Sequence, residues 1–256
     1  MNRKDVNEVV LMGYFKPRLS DDGRQVGGRL CTSERMTEDQ PEAKQCWHSI
    51  VAVTEVAKDS IRRWNPPARL AIIKGRFRRR EYLVEGKLRY ANEILMFDPI
   101  TVPGSSVRQS EITIEGHLGA KPDVRYTPKG LAVITLSVAT NSSRKDSTAP
   151  SGWVKETTWH HALLFGEEAR KKVEGLAKGS FVSLQGELTY RPRKKIEDGV
   201  VAEILVRSLS FQGREVISPP QEEEDLARPF EIPQSAQPAL FPESDKPLNY
   251  SMSEHF

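Results

Sequence analysis

The stretch Phe181–Tyr190 reads FVSLQGELTY, and its side chains alternate between the two faces that a strand would have. A period of two predicts a β-strand with one face buried and the other available for contacts. Residues 133–138, VITLSV, alternate in the same way. Between them, residues 167–176 read EEARKKVEGL and place Ala169, Val173 and Leu176 on one side of a helix. The second half of the chain therefore reads as a β-domain that contains one short helix.

Four short matches recur in the two halves of the chain, in the same order and at offsets of 103, 112, 111 and 110 residues. They pair Val9–Gly13 with Ile112–Gly116, Trp47-His48 with Trp159-His160, Ile73–Gly75 with Leu184–Gly186, and Glu93–Leu95 with Glu203–Leu205. Matches that keep their order and spacing predict two copies of one domain of about 100 residues. Three strands, a helix and two further strands are the order of an OB-fold barrel. We therefore expect an all-β protein with two tandem five-stranded OB-fold barrels and a small helix in each.

Two breaks in the pattern divide the chain. Pro99–Ser110 interrupts any strand, and a segment rich in proline and acidic residues begins near Val216. This segment holds seven of the 17 prolines, and it carries eight acidic residues against two basic ones. Such a composition cannot bury enough apolar surface to fold. We expect a first domain over 1–102, a linker over 103–109, a second domain over 110–213 and a disordered acidic tail over 214–256.

Several classes of protein are excluded by what the sequence lacks. No run of about 18 apolar residues is present, as a membrane-spanning helix would require, and the first residues do not resemble a signal peptide. Cys31 and Cys46 are the only cysteines and have no zinc-site spacing. No catalytic or phosphate-loop motif occurs, and neither His48 nor His160 has an acidic partner nearby in sequence. We expect a cytoplasmic protein that is not an enzyme, with reduced thiols and without a metal or cofactor.

The charge is unevenly distributed along the chain. The net charge is +3, so the acidic tail leaves the preceding residues strongly basic. A basic body is typical of proteins that bind polyanions, although surface lysine and arginine can also serve only to keep a protein soluble.

Residues 116–130, GHLGAKPDVRYTPKG, are close to the opening signature of the bacterial single-stranded DNA-binding proteins. Further motifs of that family follow in order: ATN at 139–141, TWH at 158–160, LFG at 164–166, KGS at 178–180 and QGEL at 185–188. The chain resembles this family over Ser110–Phe211, and the first copy resembles a divergent relative. Two such domains in one chain are similar to the tandem form of the Deinococcus–Thermus group. That resemblance implies a nucleoid-associated homodimer with four barrels.

Binding of single strands without sequence preference needs aromatic rings for stacking and cations for phosphates. Trp159 and Phe165 lie six residues apart on a predicted strand, hence on one face, and the resemblance makes both stacking residues. Trp47 is the matching residue of the first copy, where Val53 stands at the position of Phe165. Aromatic residues on strands are also commonly core residues, so this alternative stays open.

The candidate phosphate contacts are mostly cations. Alternation places Lys74, Arg76, Arg78 and Arg80 on one exposed face of a strand, where four like charges would repel each other unless a polyanion bound them. An edge strand protected by cations is the alternative. The resemblance adds Arg125 and Tyr126, and it adds cations near family tryptophan positions that this chain does not fill: Arg144, Lys145, Arg191, Arg193 and Lys194.

Two further roles are implied by the resemblance. The family's histidine after the tryptophan lies near subunit contacts, so His160 is expected at a subunit interface. Family members usually end in an acidic stretch closing with Pro-Phe, which recruits replication and repair proteins. This chain keeps the last ring and carries the acidic stretch and a Pro-Phe internally, so the candidate tail residues are Glu222, Glu223, Glu224, Asp225, Phe230 and Phe256.

The sequence thus predicts a protein that binds and protects single-stranded DNA in replication, recombination and repair. An accessory protein of a primosome, recombination or conjugation system, which binds DNA weakly and mainly docks protein partners, remains the alternative. An RNA-binding protein or an enzyme on the same scaffold is disfavoured by the missing catalytic motifs.

Overall fold

The structure is a computed structural model that describes residues 4–20, 25–33, 45–65, 69–84, 87–104, 109–145, 148, 150–192 and 200–211. The tail residues named above, together with Arg193 and Lys194, lie outside the described residues.

The first barrel follows the predicted order of three strands, a helix and two strands. Its elements are β1 (Val6–Leu19), β2 (Val26–Ser33), β3 (Gln45–Ala52), α1 (Glu55–Arg62), β4 (Arg69–Val84) and β5 (Lys87–Met96). The strands close in a ring: β1 pairs with β2, β2 with β3, β3 with β5 in parallel, β5 with β4 and β4 with β1. The helix begins after Thr54, whose Oγ1 accepts a hydrogen bond from the backbone N–H of Ala57 at 3.2 Å.

The second barrel repeats this ring with one addition. Its elements are β6 (Gln109–Leu118), β7 (Asp123–Tyr126), β8 (Ala132–Lys145), β9 (Trp153–Phe165), α2 (Glu167–Val173), β10 (Phe181–Pro192) and β11 (Val200–Phe211). The short strand β7 was not predicted. It pairs only with β8, so it extends the sheet without joining the ring of five. The predicted helix 167–176 ends at Val173, and Gly175 follows with a positive φ of 85°.

A glycine at matching positions of the two barrels allows a close approach between neighbouring strands. A Cβ on Gly13 would overlap the backbone oxygen of Cys31, and a Cβ on Gly116 would overlap that of Ala139. Both glycines lie on the first strand of their barrel, where that strand crosses closely over a neighbouring backbone. The repeated glycine in the matched motifs is therefore a packing requirement of the barrel.

The two barrels join through their first strands. β1 and β6 pair antiparallel from Val6↔Glu115 to Met12↔Gln109 and make one continuous 11-stranded sheet. The pair Val9↔Ile112 consists of the two residues that the repeat makes equivalent, so a local two-fold axis passes between them. Both side chains are buried, which extends the apolar core without a break from one barrel to the other.

Polar side chains hold the barrels together beside this ladder. The Asp5 carboxylate accepts hydrogen bonds from the backbone and side-chain nitrogens of Asn141 at 2.7 and 2.9 Å. Cys31 and Cys46 are both buried, and neither takes part in a disulfide, as the sequence predicted. Within the described residues, no helix is long and apolar enough to cross a membrane.

Candidate nucleic-acid interface

One face of β9 carries three large aromatic rings that stay open to solvent. Trp153, Trp159 and Phe165 share this face because they are six residues apart, and they are 50%, 45% and 49% exposed. The residues between them on the other face, such as His160 and Ala162, are buried in the barrel. The prediction that Trp159 and Phe165 lie on one open face, and not in the core, matches their placement in the structure.

Trp159 is supported from one side only. A Cβ on Gly119 would overlap the indole ring, so the ring lies directly on the backbone of Gly119. This contact explains the glycine at the fourth position of the motif 116–130. A ring with one face on backbone and the other in solvent is a ready stacking platform for a base.

Cations and small polar side chains surround these rings. Arg125 of β7 lies opposite Val133 of β8, which lies opposite Phe165 of β9, so Arg125 and Phe165 share one face of the sheet with Val133 between them. Lys145 lies opposite Trp153, with its Nζ 5.6 Å from the ring centroid. On the described β7–β9 strands, the only acid on this face is Asp123, which pairs with Arg125 at 2.8 Å. We call this surface the second-barrel face.

Tyr126 lies on the opposite side from this face. It pairs with the buried Ala132, and its hydroxyl contacts Glu167 of α2, where the contact contributes to the lowered pKa of the Glu167 carboxyl. The Arg170 guanidinium is the larger cause of that lowering. Tyr126 therefore does not share the second-barrel face with Arg125, because adjacent strand residues point to opposite faces. It is exposed, and its role as a nucleic-acid contact stays a prediction.

The first barrel has a comparable surface, which we call the first-barrel face. Tyr14 of β1, Cys31 of β2 and Trp47 of β3 are opposite one another in register, and both rings remain exposed on either side of the buried thiol. Lys16 lies two residues after Tyr14, with its Nζ 5.7 Å from the Trp47 ring centroid. Val53, at the position of Phe165, is exposed but supplies no ring.

The four cations of β4 do not form one uncompensated row. Glu93 of β5 lies directly opposite Arg78, and its carboxylate binds Arg78 at 2.6 Å and Arg80 at 3.0 Å. The expected repulsion is thus relieved by a carboxylate of the same hairpin, so the prediction that a polyanion must relieve it is wrong for these two residues. Lys74 and Arg76 are exposed, and the Arg76 guanidinium lies 5.3 Å from the Phe97 ring centroid.

The second barrel repeats this arrangement. Arg191 of β10 binds Glu203 of β11 at 2.6 Å, and this carboxylate raises the pKa of the Arg191 guanidinium. Arg144 binds Glu156 at 2.8 Å on the side of the β8–β9 hairpin opposite Trp153. Both arginines were predicted as phosphate contacts, and both have a carboxylate partner within the chain.

His48 and His160 lie between the barrels. His160 is 1% exposed, hydrogen-bonds with Thr140 Oγ1 at 2.8 Å and packs its ring 5.7 Å from that of Phe77 in the other barrel. His48 hydrogen-bonds with Thr32 and with the Tyr190 hydroxyl of the other barrel. Burial lowers the pKa of each histidine to about 3. The predicted subunit contact for His160 is therefore wrong, since the residue that it meets belongs to the same chain.

The sequence reasoning missed several residues of these surfaces, among them Trp153, Glu93, Tyr14 and Lys16. Trp153 could have been found, because a spacing of six from Trp159 is an even number and keeps the face. Glu93 was part of a matched motif, but its arginine partners follow only from the hairpin register. Tyr14 gave no signal, since its place beside Trp47 depends on pairing across β2.

Comparisons with known proteins agree with this geometry. Residues 109–212 match the model of the Single-strand binding protein family. The fold is similar to two crystal structures of the single-stranded DNA binding protein from Thermus aquaticus, the wild type and a deletion mutant. Each has 19% sequence identity and a TM-score of 0.61, and the match covers 86% of this chain and 98% or 99% of that chain.

The expected architecture of two tandem OB-fold barrels is thereby confirmed for the described residues. The resemblance read from the motifs of the second copy is confirmed as well, because the family match spans the same segment as those motifs. Over residues 109–212, the second barrel is thus similar to the single-strand binding protein family.

Proposed function

We propose that the chain binds single-stranded DNA without base-sequence preference and protects it during replication, recombination and repair. The observation that carries the proposal is the pair of open faces, one on each barrel, that combine half-exposed rings with cations. The protein acts by occupancy and not by a catalytic step, because binding the unpaired strand shifts the equilibrium away from base-paired forms.

Each component of the faces has its own part in binding. The rings offer flat apolar surfaces, and every base has a π-face, so stacking tolerates any sequence. Stacking contributes about 1–3 kcal/mol per base. Lys16 and Lys145 lie beside the rings of Trp47 and Trp153, where the phosphates of stacked nucleotides would pass. Stacking on rings and charge contacts to phosphates do not depend on the base sequence, and this favours binding without sequence preference.

The cations of β4 differ in how readily they can contact a phosphate. Lys74 and Arg76 are exposed and suit a phosphate contact, whereas Arg78 and Arg80 must first loosen their pairs with Glu93. Each phosphate neutralised on a single strand contributes about 0.7 to the slope of log affinity against log salt. Changing Arg76 and Arg78 to alanine should lower the affinity and make this slope shallower, with most of the change due to Arg76.

The tandem resemblance also supports a homodimer with four barrels, a cytoplasmic location at the nucleoid and a tail over 214–256 that docks replication and repair proteins. The division into domains at 1–102 and 110–213 belongs to the same proposal. Light scattering of the purified chain tests the dimer, and a chain that ends at residue 213 tests whether DNA binding and partner docking separate.

The experiment that tests the function measures binding of labelled oligo-dT, oligo-dA and mixed sequences of one length by fluorescence anisotropy at several salt concentrations. The proposal predicts nanomolar affinity for all three, weaker binding of the matching duplex and a linear loss of affinity with log salt. Micromolar binding to every strand would contradict it and would favour the accessory protein that mainly docks partners.

A further inference from the structure

The second-barrel face extends beyond the barrel along an arm formed by the ends of β8 and β9. The residues from Asn141 to Lys145 are all exposed, as are Trp153, Lys155 and Thr157 on the facing strand. We propose that Trp153 and Lys145 form an additional nucleotide-binding station on this arm. The inference rests on the proposed function. It adds Trp153, which the sequence did not predict as a contact, and it gives the predicted cation Lys145 a stacking partner.

Trp153 is placed for stacking and not for packing. Its ring is as exposed as those of Trp159 and Phe165, and all three share one face of a single strand. A strand rises about 3.3 Å per residue, so the six residues from Trp153 to Trp159 span about 20 Å. The three rings therefore form a row of evenly spaced platforms, and Trp153 is the one farthest from the barrel.

The side chains around Trp153 suit a passing phosphate backbone. Lys145 lies directly across the hairpin with its ammonium 5.6 Å from the ring centroid, and Lys155 follows two residues along the same face. The same unit of lysine and tryptophan occurs on the first barrel, where Lys16 lies 5.7 Å from the Trp47 centroid. A cation beside a stacking ring places positive charge where the phosphate of the stacked nucleotide passes.

The arm is held in place before any strand binds. Ser151 Oγ donates to the Trp153 carbonyl at 2.9 Å and fixes the start of β9. Asp5 of the first barrel accepts two hydrogen bonds from Asn141, where the arm leaves the second barrel. The opposite face of the arm contains the ion pair between Arg144 and Glu156 and borders the arginines of β4. Only the Trp153 face is free of such a described pair, so binding there needs no rearrangement of the arm.

The dependence of affinity on strand length distinguishes the station at Trp153 from the part of the second-barrel face between Trp159 and Phe165. A short strand held between Trp159 and Phe165 does not reach Trp153, whereas a strand near the upper end of the usual range for one OB fold does. The test compares oligo-dT of about 4 and about 16 nucleotides. All chains are full length and carry Trp47→Ala, so that the first-barrel face contributes equally little throughout.

Trp153→Leu should weaken binding of the long strand by about fivefold to a hundredfold and leave the short strand unchanged, because one stacked base is lost. Trp153→Phe should retain most of the affinity. Lys145→Ala should reduce the salt slope of the long strand by about 0.7. Trp159→Leu is the matched control and should weaken both lengths.

If Trp153→Leu binds both strand lengths as tightly as the parent chain, the proposed nucleotide-binding station at Trp153 is wrong. If Trp159→Leu still loses affinity in that case, the proposed function remains supported. Equal losses for short and long strands would also overturn the station, because Trp153 would then act through the structure of the hairpin. If Trp159→Leu also binds both lengths as tightly as the parent chain, the proposed function fails with the station.

Discussion

At the scale of single residues, pairing across a hairpin decides which cations are available. The sequence shows a row of arginines on β4, but it does not show that Glu93 lies opposite Arg78. Two arginines share this nearly buried carboxylate, with side-chain exposures of 29% for Arg78 and 44% for Arg80. Glu203 of the second barrel has the same place, and among the described residues it pairs with a single arginine, Arg191, whose side chain is 57% exposed.

Glu93→Gln should therefore destabilise the protein more than Glu203→Gln. We expect a loss of about 2 kcal/mol in the free energy of unfolding for Glu93→Gln, since two charge-assisted pairs are weakened in a partly buried site. About 1 kcal/mol or less is expected for Glu203→Gln, where solvent screens the single pair. Urea unfolding of both variants measures the difference, and equal losses would show that the second arginine contributes nothing.

At the scale of elements, the first strand of each barrel is limited by its close approach to a neighbour. Gly13 and Gly116 have no room for a Cβ, because a backbone oxygen occupies the position. Gly104, between the barrels, has nothing within 4 Å of a built Cβ. The sequence already places Gly13 and Gly116 in matched motifs and Gly104 in the linker, and the structure shows the close contact that excludes a Cβ at the first two.

Gly13→Ala and Gly116→Ala should each cost about 1–3 kcal/mol of stability, because the strand must move away from the backbone that it crosses. Gly104→Ala is the matched control and should change stability by less than about 1 kcal/mol in either direction. Thermal unfolding of the three variants provides the comparison. A wild-type melting temperature for Gly116→Ala would contradict the close crossing of the second barrel.

Much of each element was predictable from the sequence, because alternation and helical spacing are local properties. The strands predicted at 181–190 and 133–138, the two short helices and the shared face of Trp159 and Phe165 follow from such patterns. The open placement of the two rings was implied by the family resemblance and not by alternation. The short strand β7 was not predicted, since its exposed residues show no alternation. Tyr14 and Glu93 depend on partners distant in sequence, which a local pattern cannot supply.

At the scale of the whole molecule, the repeat becomes a physical two-fold arrangement. The equivalent residues Val9 and Ile112 face each other, and His48 of the first half and His160 of the second half are buried between the barrels. His48 meets Thr32 and Tyr190, whereas His160 meets Thr140 and Phe77, with His161 next to it in sequence. Desolvation is the largest cause of the low pKa of each histidine, and the charge of His161 lowers that of His160 further.

This burial makes stability depend on pH. In the unfolded chain each histidine has a pKa near 6.5, whereas in the folded chain it has a pKa of about 3. The unfolded state therefore binds more protons below about pH 6.5, and the free energy of unfolding falls as the pH decreases. Above pH 6.5 both states hold neutral histidines, so this contribution to the pH dependence vanishes.

Each buried histidine should contribute a slope of up to about 1.4 kcal/mol per pH unit between pH 6 and pH 4. Urea unfolding at a series of pH values measures the slope in the parent chain and in the double variant His48→Gln and His160→Gln. The double variant should give a clearly flatter profile over this range. Parallel profiles for the two proteins would mean that the histidines are not buried in the neutral form.

If the ring-bearing faces of both barrels bind the unpaired strand, fluorescence anisotropy of a labelled oligo-dT of about 16 nucleotides will show it in two variants. Trp47→Ala and Trp159→Ala should each weaken binding, and the chain with both changes should lose at least tenfold in affinity while its unfolding curve stays close to that of the parent. If the doubly changed chain binds oligo-dT as tightly as the parent, the two faces do not bind the strand.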